Sequence, residues 1–343
     1  CIRDRHYNDK NLIEKVIRAL SLLEMLVKAG CPLVFKGGTA LMLILGKSAH
    51  RLSIDIDLIC PPGTNIEDYL KSFADFGFIN LELVERKQRD DADIPKSHSK
   101  FFYQIAYRND TDAQSYILLD VLYEDIHYFR TQQIAINCPF IRLEGKPLMV
   151  TVPSAEDILG DKLTAFAPNT TGIPYYKNGR SCSMEIAKQL YDVGRLFENV
   201  SDLQITKEAF RKIAVVELSY RSFGTDIGQV FNDIRQTALC ISTRGKAGEG
   251  DFDLIQDGII RVKSFMYKQR YLIDHAIIDA ARAAYLATLI EKGINEIESY
   301  SNNPADIKDM VIRPSLPNKL NKLRSNLPEA YYYWAKTSEL LEA

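Results

Sequence analysis

Along the first 150 residues the spacing of apolar positions changes repeatedly, and each change marks an element. In "NLIEKVIRALSLLEMLVKAG" they recur every three or four residues up to a terminal glycine, which predicts a helix. "PLVFKGG" predicts a short strand running into two glycines, and "TALMLILGK" a helix directly behind them. "LSIDIDLIC" predicts a strand and "NIEDYLKSFADFG" a helix with a glycine stop. Then "FINLELVE", "KFFYQIAYR", "SYILLDVLYE" and "QIAINCPFIRL" follow as strands, rich in β-branched and aromatic residues and separated by polar turns. Helices early and strands in series later predict an α+β unit, a mixed sheet with helices packed on it.

"VTVPSAEDILGDKLTAF" changes the regime. Ser154 with Asp157 three residues on resembles a helix N-cap with an acidic first turn. Beyond it nearly everything is helix-periodic, as in "MEIAKQLYDVGRLFENV", "TKEAFRKIAVVELSY", "DLIQDGIIRVKSFMYK" and "IDHAIIDAARAAYLATLIEKG". The expected division is therefore a mixed α+β domain over residues 1–152 and an all-α domain over 153–343. "APNTTGIPYYKNGRSC" and "STRGKAGEGD" read as exposed loops.

Composition narrows the class. The 343 residues are 46% hydrophobic and 26% charged, with a formal net charge of -2. That suits a globular protein with a substantial core and excludes a wholly basic nucleic-acid binder, so any basic surface is local. The six cysteines are scattered without a CxxC pair or nearby histidines, which fits reduced thiols in a cytoplasm better than zinc or a disulfide framework. The first residues lack a signal-peptide pattern, and runs such as "ALMLILG" are too short to span a bilayer, so the expected location is cytoplasmic with no membrane partner.

Chemistry concentrates where the glycines meet the acidic strand. Alternation in a strand puts Ser53, Asp55 and Asp57 on one face and Ile54, Ile56 and Leu58 on the other. Two carboxylates roughly 7 Å apart on one strand face repel unless a counter-charge lies between them. A solvent-facing acidic strand is one resolution; a divalent cation shared with substrate phosphates is another. The preceding "KGGT" favours the cation, because Gly37 and Gly38 open a helix whose N-terminal N–H groups suit phosphate, with Thr39 as a further donor. In "SYILLDVLYE", Asp120 shares its face with Tyr116, Leu118 and Leu122, a place where a carboxylate needs a partner, a metal or an edge open to water. Lys162 falls on the apolar stripe of its helix, which calls for an anionic partner or snorkelling to the surface. Asp192 falls at the edge of a stripe formed by Ile186, Leu190, Val193 and Phe197, and by itself reads as part of an exposed ion-pair face with Lys188 and Arg195.

Together "FKGGTAL", "RLSIDIDL", "DKLTAF" and "KQLYDVGRL" resemble the AbiEii/AbiGii toxin family, minimal nucleotidyltransferase-fold proteins of abortive-infection and toxin–antitoxin systems that include the MenT group of tRNA-modifying toxins. The resemblance implies that Gly37, Gly38 and Thr39, flanked by Lys36, cradle an NTP, and that Asp55, Asp57 and Asp120 hold Mg²⁺ or Mn²⁺. It implies further that Ser53 lies close to the metal, that Lys162 contacts the nucleotide phosphates, and that Asp192 completes the last motif. The implied activity is transfer of a nucleoside monophosphate to an acceptor hydroxyl, foremost the tRNA 3′ end, with growth arrest as the result and a cognate antitoxin encoded nearby. The helical domain, on this reading, contributes Lys162 and Asp192 to the active site.

Two basic stretches bear on the acceptor. "RVKSFMYKQRY" mixes Arg261, Lys263, Lys268 and Arg270 with Phe265, Tyr267 and Tyr271, and "IRPSLPNKLNKLRSN" carries Arg313, Lys319, Lys322 and Arg324. Basic clusters among aromatics suit phosphate tracking and base stacking, and equally a solvated helix face over core aromatics. A small-molecule or protein hydroxyl as acceptor, and a catalytically silent nucleotide-binding module, are the alternative readings.

Overall fold

The computed structural model describes residues 9–83, 96–106, 113–138, 141, 143–200, 202–220, 224, 226–267 and 270–343. Cys1, Lys268 and parts of three strand candidates lie outside them. The described chain forms two compact units: residues 1–154 with 265–269, and residues 155–264 with 270–343.

The first unit is built on a five-stranded mixed sheet. Its strands are β1 (Val34–Lys36), β2 (Ile56–Cys60), β3 (Asn80–Leu83), β4 (Lys96–Gln104) and β5 (Gln114–Tyr123), in the order β1-β2-β5-β4-β3. Among the described residues of this sheet, β2 and β5 are the parallel pair and the other neighbours run antiparallel. Helix α1 (Lys10–Lys28) starts at Asp9, whose carboxylate accepts the Leu12 N–H at 3.1 Å. Its buried stripe of Leu12, Val16, Leu20 and Leu23 joins Phe35, Ile56, Leu58, Phe101, Ile117, Leu119 and Val121 of the sheet in one core. Helix α2 (Gly37–Leu45) begins directly after β1, at the glycine pair. A separate ribbon of β6 (Thr131–Ala135) and β7 (Met149–Pro153) completes the unit.

Two predicted helices take another form. The "NIEDYLKSFADFG" stretch makes two 3₁₀ turns, Ile66–Tyr69 and Phe73–Phe76, closed by bonds such as Leu70 N–H to Glu67 O. Helix α7 of the second unit (Phe252–Val262) stops short of the periodicity that predicted it. The segment after it pairs with the first unit's own backbone: Leu52 N–H donates to Phe265 O at 2.8 Å and Tyr267 N–H to His50 O at 2.7 Å. Those backbone groups close a bridge between Arg51 and Met266 in place of helix bonds.

The second unit is helical, with α3 (Ala155–Ala165), α4 (Ser183–Phe197), α5 (Leu203–Ser219), α6 (Ile227–Ser242), α7, α8 (Ile273–Lys292), α9 (Leu323–Asn326) and α10 (Pro328–Glu342). The predicted polar loop before α4 contains a minimal hairpin, β8 (Tyr176–Lys177) with β9 (Arg180–Ser181), turned by Asn178 and Gly179, both at positive φ. Asp233 of α6 holds the start of that loop through Asn169 and Thr170. Alanine-rich α8 lets α4, α6 and α10 pack against it. Its Asp279 is fully buried between Arg195 at 3.2 Å and Arg282 at 3.4 Å, and Arg282 also holds Glu198 and Glu329. Burial pushes the Asp279 carboxyl above the usual carboxylate range, against the pull of both arginines.

Gly194 makes that arrangement possible, because a Cβ there would overlap the Asp279 carboxylate. At an unobstructed helix site, Gly→Ala stabilises by up to about 1 kcal/mol. Overpacking against a fixed buried group costs about 1–3 kcal/mol. Gly194→Ala is therefore expected to lower the urea midpoint of unfolding; a raised midpoint would show that the contact is not tight.

Candidate active site

The site in the first unit follows from strand register. Lys36 of β1 pairs with Asp57 of β2, Asp57 with Asp120 of β5, and Asp120 with His98 of β4. Register partners share a face of the sheet, so a lysine, two aspartates and a histidine form one row across four strands. Their neighbours Phe35, Ile56, Leu58 and Leu119 lie on the opposite, buried face. His98 Nδ1 bonds Asp120 Oδ1, with the histidine side chain 12% exposed and the aspartate 36%. The Asp120 face is thus half open and not the apolar face that Leu118 and Leu122 suggested, because Ile117, Leu119 and Val121 carry the core. The Lys36 ammonium lies 5.8 Å from the centre of the Tyr128 ring.

The glycine pair closes over this row. Gly37 has φ +76°, and a Cβ on it would overlap Asp57 Oδ2. A Cβ on Gly38 would lie 2.8 Å from Ser53 Oγ and 2.9 Å from an Arg51 guanidinium nitrogen. The N-terminus of α2 therefore has a carboxylate on one side and a hydroxyl and guanidinium on the other, while its dipole favours negative charge.

Two expectations change in detail. The predicted strand through Ser53 and Asp55 begins only at Ile56, so Asp55 sits in the loop leading into β2. Its backbone carbonyl accepts the Thr39 hydroxyl at 2.7 Å. Thr39 is fully buried and its one hydroxyl hydrogen is committed there. It pins the loop of Asp55 to α2 and is not a donor held open for phosphate.

Asp57 and Asp120 are register partners across a parallel strand pair, and Asp55 lies in the loop just before β2. Among the described residues no group of three His, Cys, Asp or Glu side chains is gathered closely enough to hold a metal ion. The donors still suit a hard cation of the Mg²⁺ type, which takes one or two carboxylates and completes its shell with phosphate and water. His98 and Arg51 are the site residues that sequence periodicity misses. The histidine shows itself only once β4 is set in register with β5. The arginine opens "RLSIDIDL" with no apolar period to mark its place, and it is 7% exposed.

Lys162 and Asp192 belong to the second unit. They are 7% and 1% exposed and bond each other at 3.1 Å. Asp192 is thus a buried ion-pair partner and not part of an exposed charged face, because α3, α7 and α8 all pack on α4. Arg195, its supposed neighbour in charge, bonds Asp279 and Glu198.

Removing one member of a buried pair leaves an uncompensated charge and costs about 3–5 kcal/mol, whereas replacing both by apolar residues is often neutral. Asp192→Ala is expected to fall in that range by chemical denaturation, and Lys162→Met/Asp192→Leu to fold with nearly unchanged stability. A double variant that unfolds as readily as Asp192→Ala would show that the pair is not exchangeable for apolar packing.

Comparison with curated proteins gives no match. Among solved structures the chain is similar to JHP933 from Helicobacter pylori, at 16% identity and a TM-score of 0.40 over 86% of this chain and 95% of that one. A second H. pylori structure, proposed to be a nucleotidyltransferase, is 16% identical with a TM-score of 0.39 over 83% and 94% of the two chains. The model of the family described as nucleotidyl transferase AbiEii toxin, Type IV TA system, matches residues 20–307. That span takes in the glycine pair, the acidic strand, Lys162 and Asp192, and the chain belongs to the AbiEii nucleotidyl transferase toxin family.

Proposed function

We propose that the chain transfers a nucleoside monophosphate from an NTP to an acceptor hydroxyl and releases pyrophosphate. The observation that carries this is the row of Lys36, Asp57, Asp120 and His98 set beside the glycine-opened N-terminus of α2. The first turn of α2, with Lys36 and Arg51, would bind the triphosphate; glycines at 37 and 38 let phosphate oxygens approach the backbone. Mg²⁺ or Mn²⁺, held by Asp57 and Asp120 with Asp55 and phosphate oxygens, would supply charge neutralisation on the attacking and leaving oxygens. The acceptor oxygen bonds the α-phosphorus as the bond to the bridging oxygen breaks, and the electron pair leaves on pyrophosphate. We assign Asp120, partly open and steadied by His98, to take the hydroxyl proton. Ser53 and Thr39 serve the arrangement from behind, the first against Gly38 and the second by fixing the loop of Asp55.

The acceptor we propose is the 3′ end of tRNA, by resemblance to the tRNA-modifying members of this toxin group, with blocked translation as the outcome. Membership of a Type IV toxin–antitoxin family implies an antitoxin partner. No helix among the described residues is long and apolar enough to cross a membrane.

The test is to incubate the chain with Mg²⁺, each labelled NTP in turn and total bacterial tRNA. Label on tRNA is expected with one or more nucleotides. Asp55→Ala and Asp57→Asn should lower it by at least about a hundredfold, the scale set by losing one charge-stabilising group, without unfolding. Pyrophosphate release without labelled tRNA would keep the transfer and reject the acceptor. No turnover under any of these conditions would reject the reaction.

A further inference from the structure

The second unit contains a groove that the transfer chemistry does not use. It has a volume of about 620 Å³ and is lined by Arg244 and Lys246 from the loop after α6 and by Lys319 and Lys322 from the segment before α10. Asp274 is the acidic side chain on its wall. Four cations against one carboxylate make it strongly positive on a chain whose net charge is -2.

The groove is held in shape from within. Arg244 has φ +53°, an uncommon conformation for a side-chain-bearing residue. Thr243 Oγ1 donates within this loop and accepts the Ala247 N–H at 2.9 Å, fixing it to the end of α6. The Lys319 ammonium donates to Lys246 O and so ties the two walls together. Arg244 meets Asp274 at 3.0 Å with both side chains more than half exposed, and such a pair contributes little, so Arg244 can exchange the carboxylate for another anion.

The structure also sorts the two basic stretches. In the second, Arg313 lies 3.8 Å from both Glu339 and Glu342, and Arg324 donates to the carbonyls of Ile307 and Lys308. Its lysines 319 and 322 face the groove. In the first, Tyr267 and Tyr271 are buried, and Phe265 is partly buried against the first unit's core, so its described aromatics serve packing. Among the described residues the groove has no aromatic side chain, and its apolar floor of Ile277 and Leu323 is buried. It therefore lacks the anchors that a protein partner uses and offers what a phosphate backbone needs.

We propose that this groove binds the phosphate backbone of the acceptor RNA, independently of base sequence. The proposal rests on the reading of RNA as acceptor and places an RNA-holding surface on the helical unit, apart from the residues of the nucleotide site.

The test uses the full chain, with fluorescently labelled total tRNA as probe, read by anisotropy over roughly 50–200 mM salt. Lys246→Glu/Lys322→Glu reverses two exposed ammonium groups that make no ion pair among the described residues. It is expected to weaken tRNA binding by about tenfold or more and to flatten the slope of log K against log salt by about two. Lys246→Gln/Lys322→Gln should give a smaller loss of the same kind. NTP binding and the unfolding midpoint should be unchanged in both variants. Unchanged tRNA affinity and slope would overturn the proposal, as would absence of tRNA binding by the unaltered chain. Groove-dependent binding of tRNA that never receives label would uphold the groove and reject tRNA as acceptor. Normal labelling with unaltered affinity in the reversed variant would uphold the acceptor and reject the groove.

Discussion

Asp57 lies against the first turn of α2 only because residue 37 carries no side chain. That contact ties the sheet to the helix at the N-terminus of α2. It sets how closely the carboxylate approaches the N-terminal N–H groups, whose positive end offsets its repulsion from Asp120 one strand away. Glycine's backbone freedom is here a means of bringing an acid and an anion-binding helix end to one spot. The buttons around it are polar: Thr39 to the Asp55 carbonyl, Ser53 and Arg51 behind Gly38, and His98 on Asp120.

The helical unit solves a different problem with similar means. Two buried acids there are partners of bases, Asp192 of buried Lys162 and Asp279 of buried Arg282 and half-buried Arg195. Neither set gains much net stability over an apolar core, since desolvation offsets most of the attraction. They do fix positions, because a misplaced helix would leave a charge stranded. Gly194 lies between the two, next but one to Asp192 and against Asp279, so α4 is constrained on both sides within one turn.

Much of this was legible in the chain itself. The glycine pair and the helix behind it, the strand of Ile56 and Leu58, the strand of Asp120, and helices α4 and α8 all announce themselves through period and turn chemistry. Strand pairing does not. Nothing local says that β2 runs parallel to β5, and without that register Asp57 and Asp120 are merely two acids 63 positions apart, as their numbers show. His98 is invisible for the same reason. Asp192 misled because stripe-edge positions stay exposed only when one helix face is covered, whereas α4 is packed by three neighbours. The end of α7 was misplaced because its continuation finds hydrogen-bond partners more than two hundred residues earlier, at His50 and Leu52.

That last connection bears on synthesis. The loop that leads to Asp55 is clipped by backbone bonds from residues 265–267, a segment made long after the sheet. At about 5–20 residues per second, a ribosome has moved on for several seconds between completing residue 154 and supplying the clip. Through that interval the nascent chain holds its glycines and aspartates without the bridge that fixes their loop. The loop of Asp55 is thus completed only as the second half of the chain emerges, so the order of synthesis makes the first unit wait on a segment of chain more than a hundred residues beyond it.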